Sequence, residues 1–506
     1  MTSRKGPGIY RNAMINWATL FYVAAVSFFL APVVVRSLGS AAYGVWSLLV
    51  AVVGYLGLLD FGVRGAVTRY IAHHHAVGDL RSSSLITTAA MMLFGMLGLL
   101  AVLIACGVAW GAPLLFNIPP ELMTESRAVL AIGGVTVLVT LVGAVYGGVV
   151  TGLERFDISG GIEIGLTTVR STAVYIVLKM GYGLVALAVI QLASAGLYFL
   201  GMRITVHRIM PDLRLLFAER LLPWVKTILS FSAWLSIIHV LAVVIFYTDA
   251  LVIGAVLPIS AVGMYAIAGT LVDYAMKVTG GLSKIFTPRV SAMKSAGGHD
   301  IAATVLDGAR AATLVTLPIA ITFVLRGETF INLWMGPEYG SASGSVLQVL
   351  ALVIWVGSAR TVACAAIIGL NMHRKLIPLL AFEAICNLVL SLVLVRTLGL
   401  IGVAVGTLLP ALLVSLVLVP RCLREVAGAP VSRYLMHALA RPTLFMVPFA
   451  LATWAVEAHL HPAGLLGFVL QVALVIPVAI VGAFLVLGRV ERGQLIAALR
   501  SRLGSA

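Results

Sequence analysis

Stretches of about 20 consecutive apolar residues recur along the whole chain, and no other feature constrains the fold as strongly. A helix of about 20 apolar residues has the length that crosses the hydrocarbon core of a bilayer. The approximate positions of these stretches are 13–36, 42–71, 84–109, 126–151, 157–179, 182–206, 223–257, 260–286, 301–325, 342–370, 375–396, 398–420, 440–459 and 464–488. The pattern predicts an all-α polytopic membrane protein with about 14 transmembrane helices.

The composition excludes the soluble globular classes. Hydrophobic residues make up 61% of the chain and charged residues 10%, whereas soluble proteins have about 45–50% apolar and about 25% charged residues. The first apolar run follows several basic residues and is long enough to span, so we predict a first transmembrane helix rather than a cleaved signal. The four cysteines have no paired spacing and are expected to be membrane hydrophobes, without disulfides or metal binding.

The basic residues indicate the orientation of the spans. If the N-terminus lies in the cytoplasm, the outer ends of the spans hold only Arg36, Arg127, Lys179, Arg326 and Arg396. Nearly all the other Lys and Arg residues then lie on the cytoplasmic side, as the positive-inside rule requires. We therefore expect both termini in the cytoplasm. The net charge of +15 reflects this topology, so we expect no nucleic-acid partner.

Three local matches indicate an internal repeat. The stretch from Leu38 resembles the one from Leu257, "VVTGLERF" resembles "AIIGLNMHRK", and the stretch from Gly183 resembles the one from Gly399. The offsets are nearly equal, and six spans separate the members of each pair. The repeat predicts two parallel six-helix lobes with a cavity between them, a shape suited to alternating access. The predicted division is 1–210 for the N-lobe, 211–425 for the C-lobe, and 426–506 for two further helices and a cytoplasmic tail.

Three motifs carry a family resemblance that covers nearly the whole chain. "LGSAAYGVWSLLVAVVGYLGLLDFGVRGAVTRYIA" and "YTDALVIGAVLPISAVGMYAIA" resemble signatures of the Wzx-type polysaccharide transporters, or O-antigen flippases, and "GLIGVAVGTLLP" is similar to a third. These transporters belong to the MATE-like multidrug/oligosaccharidyl-lipid/polysaccharide (MOP) exporter superfamily. The signature residues of this chain are Gly39, Tyr43, Gly44 and Asp249.

The resemblance implies a V-shaped, MATE-like fold and a flippase rather than an enzyme. Its substrate would be an undecaprenyl-diphosphate-linked oligosaccharide, moved across the bacterial inner membrane for O-antigen, capsule or exopolysaccharide synthesis. No cofactor is implied beyond a possible coupling proton or sodium ion. Membrane lipids are expected partners, polymerases or glycosyltransferases of the same pathway are possible ones, and the protein is expected to be a monomer.

Three arginines are the candidate substrate contacts. Arg64, Arg170 and Arg360 lie within predicted spans, where each charge costs about 2.5–3.5 kcal/mol at mid-bilayer on insertion scales. A guanidinium stays charged, and its fork of donors matches phosphate oxygens. Arginines that face one cavity would therefore suit a diphosphate. The alternative is that each arginine pairs with a carboxylate or with helix carbonyls and stabilises packing.

The acidic residues of the spans are weaker candidates for ion coupling. Asp60 precedes Arg64 by four residues, so we expect the two to share a helix face and neutralise one another. Asp60, Glu163 and Glu383 could each bind a coupling proton or sodium ion. The alternative is hydrogen bonding between helices. The stretch "HHHAVGD" is expected to be a solvated cytoplasmic loop rather than a metal site.

Two other functions remain open. A cation-coupled drug or small-molecule antiporter of the same superfamily would carry mainly carboxylates in its cavity, have fewer arginines and use twelve spans. A membrane glycosyltransferase or polymerase usually needs a large outer loop for its catalytic groups. The predicted outer loops are about 10–15 residues long, as in 117–126 and 332–344, which argues against the second class.

Overall fold

The computed structural model describes residues 9–217, 219–283, 285–296 and 300–488. The two predicted cytoplasmic ends, at 1–8 and 489–506, lie outside the described residues. The helices are α1 (Ile9–Leu56), α2 (Val63–Ala76), α3 (Leu80–Leu115), α4 (Pro120–Gly152), α5 (Phe156–Lys179), α6 (Leu184–Ile209), α7 (Leu222–Val256), α8 (Ile259–Ser283), α9 (Phe286–Ser295), α10 (Ile301–Trp334), α11 (Pro337–Gly369), α12 (Leu376–Leu413), α13 (Val419–Ala427), α14 (Val431–Tyr434), α15 (Arg441–Phe445), α16 (Val447–His459) and α17 (Gly464–Val486). Short 3₁₀ segments (Gly57–Asp60 and His373–Lys375) and π segments (Val414–Leu418 and Leu435–Ala440) connect some of them.

The number of membrane crossings agrees with the sequence. Twelve helical segments of the described residues are long and apolar enough to cross a membrane. Two of them are too long for one crossing and contain a glycine in a non-helical conformation, at Gly39 in α1 and at Gly399 in α12. The positive φ angles interrupt the helix at both positions, and only glycine adopts such angles without steric cost. Counting each half separately gives the 14 crossings that the sequence predicts.

Contacts divide the chain into two compact units, Met1–Ala266 and Ile267–Ala506. The predicted three-part division, with its N-lobe, C-lobe and terminal helix pair, stays a prediction. The outer connections are shorter than predicted, because helices extend into both of the supposed loops. In the second unit α10 ends at Trp334 and α11 begins at Pro337, so only two residues connect them. In the first unit α4 already begins at Pro120.

The two units contain the same local arrangement where the sequence repeat places it. In the first unit, a Cβ atom on Gly152 would lie 2.7 Å from the carbonyl oxygen of Thr68, so the end of α4 touches the backbone of α2. In the second unit, a Cβ atom on Gly369 would lie 2.5 Å from the carbonyl oxygen of Thr287, so the end of α11 touches α9 in the same way. The match between "VVTGLERF" and "AIIGLNMHRK" therefore reflects one repeated helix contact.

The signature residues hold α1, α7 and α8 together within the first unit. Gly39 forms the break in α1, with φ 76° and ψ 170°. Asp249 is buried in α7 and accepts a hydrogen bond from the hydroxyl of Tyr265 in α8, with an O···O distance of 2.6 Å. Tyr43 packs against Gly263 of α8, where a Cβ atom would lie 2.9 Å from its ring. The two quoted signatures are thus packed against each other and have a structural role.

Gly44 provides a direct test of this packing. A Cβ atom on Gly44 would lie 2.0 Å from the carbonyl oxygen of Ile259, so α1 and α8 approach each other backbone to backbone. We expect Gly44→Ala to force the helices apart and to cost about 1–3 kcal/mol, which is typical of an overpacked core. The measurement is the thermal unfolding midpoint of the purified protein in detergent. Gly107→Ala is the matched control, because a Cβ atom there meets nothing within 4 Å. An unchanged midpoint for Gly44→Ala would contradict the close approach.

Candidate functional site

The charged stretch at the end of the predicted span 42–71 is not one continuous helix. The second half of α1 ends in the 3₁₀ turn Gly57–Asp60, and α2 begins at Val63. Between them, Phe61 and Gly62 both have positive φ angles, of 42° and 68°. The hydroxyl of Ser236 in α7 donates a hydrogen bond of 2.5 Å to the carbonyl of Phe61. This bond provides a partner for the backbone at the break, where the regular helical bonds end.

The prediction that Asp60 and Arg64 share a helix face is therefore wrong. The residues lie on different elements, and Asp60 Oδ1 instead accepts a hydrogen bond of 3.3 Å from the backbone N–H of Arg64. A carboxylate at this position caps the first turn of α2, where N–H groups lack partners within the helix. Asp60 thus positions the start of α2, and the guanidinium of Arg64 remains available for other contacts.

The guanidinium of Arg64 lies against α4, next to a tyrosine of α6. A Cβ atom on Gly147 of α4 would lie 2.6 Å from the hydroxyl oxygen of Tyr198 and 3.8 Å from Nη2 of Arg64. Three helices therefore bring a cation and a phenol to within 4 Å of the same point. The side chain of Arg64 is exposed, and that of Tyr198 is half-buried. The absence of a side chain at Gly147 leaves room for both groups.

Helix α5 carries the other candidate residues of the first unit. Glu163 and Arg170 are both half-buried and lie two helical turns apart on the same face, about 10 Å along the axis. One turn of α5 is fixed to α1 by a hydrogen bond of 2.6 Å between the hydroxyls of Tyr22 and Thr168. Within the described ranges, Arg64, Glu163 and Arg170 have no ion-pair partner within 4 Å. None of these three charges is therefore neutralised by a direct ion pair.

The candidate residues of the second unit form a pair instead. Arg360 of α11 donates from Nη1 to both carboxylate oxygens of Glu383 in α12, at 2.6 and 2.8 Å. The side chain of Glu383 is only 2% exposed and that of Arg360 17%. The arginine is thus largely neutralised by the residue that the sequence suggested for ion coupling. This geometry favours the alternative that sequence reasoning left open, a pair that stabilises packing.

Charge-neutralising variants distinguish a structural pair from a substrate contact. We expect Arg360→Ala alone to destabilise the protein by about 3–5 kcal/mol, because it leaves the buried carboxylate of Glu383 unpaired. The double variant Arg360→Met/Glu383→Gln removes both charges and should recover most of that stability. Thermal unfolding in detergent measures both effects. If Arg360→Ala unfolds at the wild-type temperature, the pair does not stabilise the fold.

A second buried arginine was missed by sequence reasoning, which assigned it to an outer end. Arg326 Nε donates to Glu457 at 2.6 Å, and its Nη2 donates to the side-chain oxygen of Gln471, also at 2.6 Å. Its guanidinium lies 4.5 Å from the ring centroid of Phe468, and the side chain is 0% exposed. Arg326 thereby connects α10 to α16 and α17. A lone arginine and a lone glutamate 131 residues apart gave no periodic signal for this cluster.

The three histidines form the last turn of α2, so the prediction that they belong to a loop is wrong. His74 Nδ1 lies 3.9 Å from Asp79, and its ring packs edge-on against Trp224 with centroids 6.0 Å apart. Burial lowers the pKa of His74, and Asp79 partly opposes this shift. Hydrogen bonds from Ser82 lower the pKa of Asp79. Among the residues with described positions, no group of three His, Cys, Asp or Glu side chains could hold a metal ion.

One family model matches more than half of the chain. Residues 33–344 match the model of the family described as polysaccharide biosynthesis protein. This chain belongs to that family. The match covers Arg64, Glu163, Arg170 and Asp249, so the candidate site and the first unit from residue 33 onward lie within the family's shared region.

Two relatives are similar to this chain over most of its length. A putative O-antigen transporter from Shigella flexneri is 20% identical over 387 residues, which cover 76% of this chain and 90% of the relative. The probable flippase AglR from Haloferax volcanii is 24% identical over 411 residues, which cover 78% of this chain and 80% of the relative. The chain is therefore similar to transporters along both of its units.

A solved structure confirms the fold. The lipid II flippase MurJ, in an inward closed conformation, aligns with a TM-score of 0.71 over 94% of this chain and 98% of that chain. The sequences are 12% identical, so this similarity shows the fold alone. The resemblance that the motifs predicted, to polysaccharide transporters with the fold of the MOP superfamily, is confirmed.

Proposed function

We propose that this protein flips an undecaprenyl-diphosphate-linked oligosaccharide across the bacterial inner membrane by alternating access. The observation that carries the proposal is the pair of arginines in the first unit, Arg64 and Arg170, which have no ion-pair partner among the described residues. Each lies in or beside a membrane helix, where an uncompensated charge is costly and usually has a function. A diphosphate carries negative charge and oxygen acceptors that two guanidinium groups can bind. Family membership and the similarity to an O-antigen transporter and a flippase also support this function.

The proposal assigns a different role to each part of the substrate. The diphosphate is held by Arg64 and Arg170, the oligosaccharide occupies the polar interior, and the lipid tail stays in the bilayer. Arg360 is not assigned to the diphosphate, because its guanidinium is already paired with the carboxylate of Glu383. The orientation expected from the Lys and Arg distribution places the cytoplasmic end of α2 on the side where the substrate is synthesised. Of the three acidic candidates, Glu383 is paired with Arg360, so coupling to a proton or sodium ion would fall on Asp60 or Glu163.

The function is tested by following its substrate in cells. In a strain that lacks this protein, we expect diphosphate-linked oligosaccharide repeats to accumulate on the cytoplasmic leaflet. Expression of the wild-type protein should clear them. The measurement is mass spectrometry of extracted lipids, with leaflet accessibility reported by a membrane-impermeant label. If no repeats accumulate, the proposal fails and a cation-coupled antiporter of the same superfamily becomes the better candidate.

A further inference from the structure

We propose that Glu163 and Tyr198, together with Arg64, form a subsite for the junction between the diphosphate and its first sugar. The inference rests on the proposed function and adds a recognition element to it. Arg64 would bind a phosphate oxygen, and Glu163 and Tyr198 would bind hydroxyl or amide groups of the adjoining sugar. The subsite is built by α2, α4, α5 and α6, all of which belong to the first unit.

The first step is the position of Glu163. The side chain of Ile162 lies 3.8 Å from where a Cβ atom on Gly201 would lie, so α5 packs against α6 at this level. Tyr198 lies one turn before Gly201 on α6. The charges of both Glu163 and Arg64 act on the phenol of Tyr198. Tyr198 therefore has two charged neighbours, Arg64 at Gly147 and Glu163 on the adjoining helix α5, and the two charges make no ion pair with each other.

The second step is the chemistry of this combination. A site meant for diphosphate alone needs donors, and a nearby carboxylate weakens it through repulsion. A carboxylate accepts hydrogen bonds but donates none, whereas a phenol does both. Glu163 therefore favours a ligand that presents O–H or N–H donors beside its negative charge. A sugar attached to a diphosphate has both groups within a few ångströms.

The third step is the access that the site allows. Arg64 is exposed, and Glu163 and Tyr198 are half-buried, so none of the three side chains is closed off by packing. A side chain at Gly147 of α4 would displace the hydroxyl of Tyr198, because a Cβ atom on Gly147 would lie only 2.6 Å from the hydroxyl oxygen. The position of the phenol is thus fixed by backbone packing and is available before the substrate arrives.

The test compares two lipids on the purified full-length protein in nanodiscs. One probe is undecaprenyl diphosphate, and the other is the same lipid carrying the repeat extracted from the strain that lacks this protein. We expect Glu163→Gln and Tyr198→Phe to weaken binding of the glycosylated lipid about tenfold, as the loss of a hydrogen bond to a charged group does. Binding of undecaprenyl diphosphate should stay unchanged in Tyr198→Phe, and in Glu163→Gln it should stay the same or become tighter, because the repulsion between the carboxylate and the diphosphate is removed. Arg64→Gln should weaken binding of both lipids.

Two matched controls remove the same groups elsewhere. Glu154→Gln removes a carboxylate from an exposed connection, and Tyr175→Phe removes a hydroxyl from an exposed position of α5. Neither should change the affinity for either lipid. The thermal midpoint of every variant shows whether it is folded.

Three results would contradict the subsite. If Glu163→Gln and Tyr198→Phe weaken binding of both lipids equally, the two residues have a structural role. If these variants bind both lipids as the wild-type protein does, the two residues lie outside the site, and if the wild-type protein binds both lipids equally, the sugar is not recognised. Each of these leaves the proposed function standing. A wild-type protein that binds neither lipid would instead contradict the proposed function itself.

Discussion

The double variant Arg64→Gln/Arg170→Gln is expected to lose clearance of diphosphate-linked repeats in cells that lack the wild-type protein. Each arginine offers charge-assisted hydrogen bonds of about 1.5–3 kcal/mol to a phosphate, which correspond to roughly tenfold or more in affinity for each residue. Glutamine keeps a polar side chain with N–H donors, but it is shorter than arginine and carries no charge. The measurement is the amount of accumulated repeat relative to cells that express the wild-type protein at the same level.

The matched control removes two arginines from the ends of helices without touching the candidate site. Arg127→Gln/Arg396→Gln changes two exposed arginines that the predicted orientation places on the outer side. It lowers the net charge by the same amount, so a general electrostatic effect would appear in both variants. Clearance by Arg64→Gln/Arg170→Gln at the control rate would remove the arginines from the mechanism, even if the function itself survives.

The substitution Arg326→Ala is expected to cause the largest loss of stability. Arg326 is fully buried, and its removal leaves the carboxylate of Glu457 and the amide of Gln471 without their main partner. Breaking a buried ion pair by removing one member costs about 3–5 kcal/mol. The loss of contact with the ring of Phe468 adds to this cost. We expect a lower unfolding midpoint in detergent and a lower yield of protein from membranes.

A control separates this effect from the loss of any arginine. Arg127→Ala changes an exposed arginine at the first turns of α4 and should stay within about 0.5 kcal/mol of the wild-type stability. Trypsin cleavage near α16 and α17 provides a second measurement, since these helices should loosen first when Arg326 is lost. If Arg326→Ala has the same unfolding midpoint as the wild-type protein, the cluster does not fix α16 and α17 to α10.

Much of the fold could be predicted from the sequence because each crossing needs its own apolar run. The sequence also located the two long helices correctly as pairs of spans, since Gly39 and Gly399 interrupt apolar runs of twice the usual length. Asp273 and Lys277 lie four residues apart in α8, a spacing that predicts an ion pair, and Nζ of Lys277 lies 2.7 Å from the carboxylate. Local spacing predicts such contacts only where the helix is continuous, as it is between Asp273 and Lys277 and is not between Asp60 and Arg64.

The site was less accessible to sequence reasoning because its contacts are long-range. The break at Phe61 and Gly62 was missed, since neither residue interrupts the apolar pattern, and the positive φ of Phe61 is uncommon for a residue other than glycine. The pairing of Arg360 with Glu383 joins two helices whose facing sides the sequence could not specify. Tyr198 carried no signal at all, because a tyrosine in an apolar helix is common. Tyr198 becomes a candidate only in the structure, where its hydroxyl lies beside Gly147 of α4 and Arg64 of α2.

The most direct measurement is translocation by the purified protein in sealed proteoliposomes. The undecaprenyl-diphosphate-linked repeat from the deletion strain is incorporated into both leaflets, and a membrane-impermeant enzyme that cleaves the sugar samples the outer one. Vesicles with the wild-type protein should expose nearly all of the glycosylated lipid, while protein-free vesicles and vesicles with Arg64→Gln/Arg170→Gln should expose only the outer-leaflet half. Cleavage that stops at this half with the folded wild-type protein, with and without a proton or sodium gradient, would contradict the proposal that this chain is a flippase.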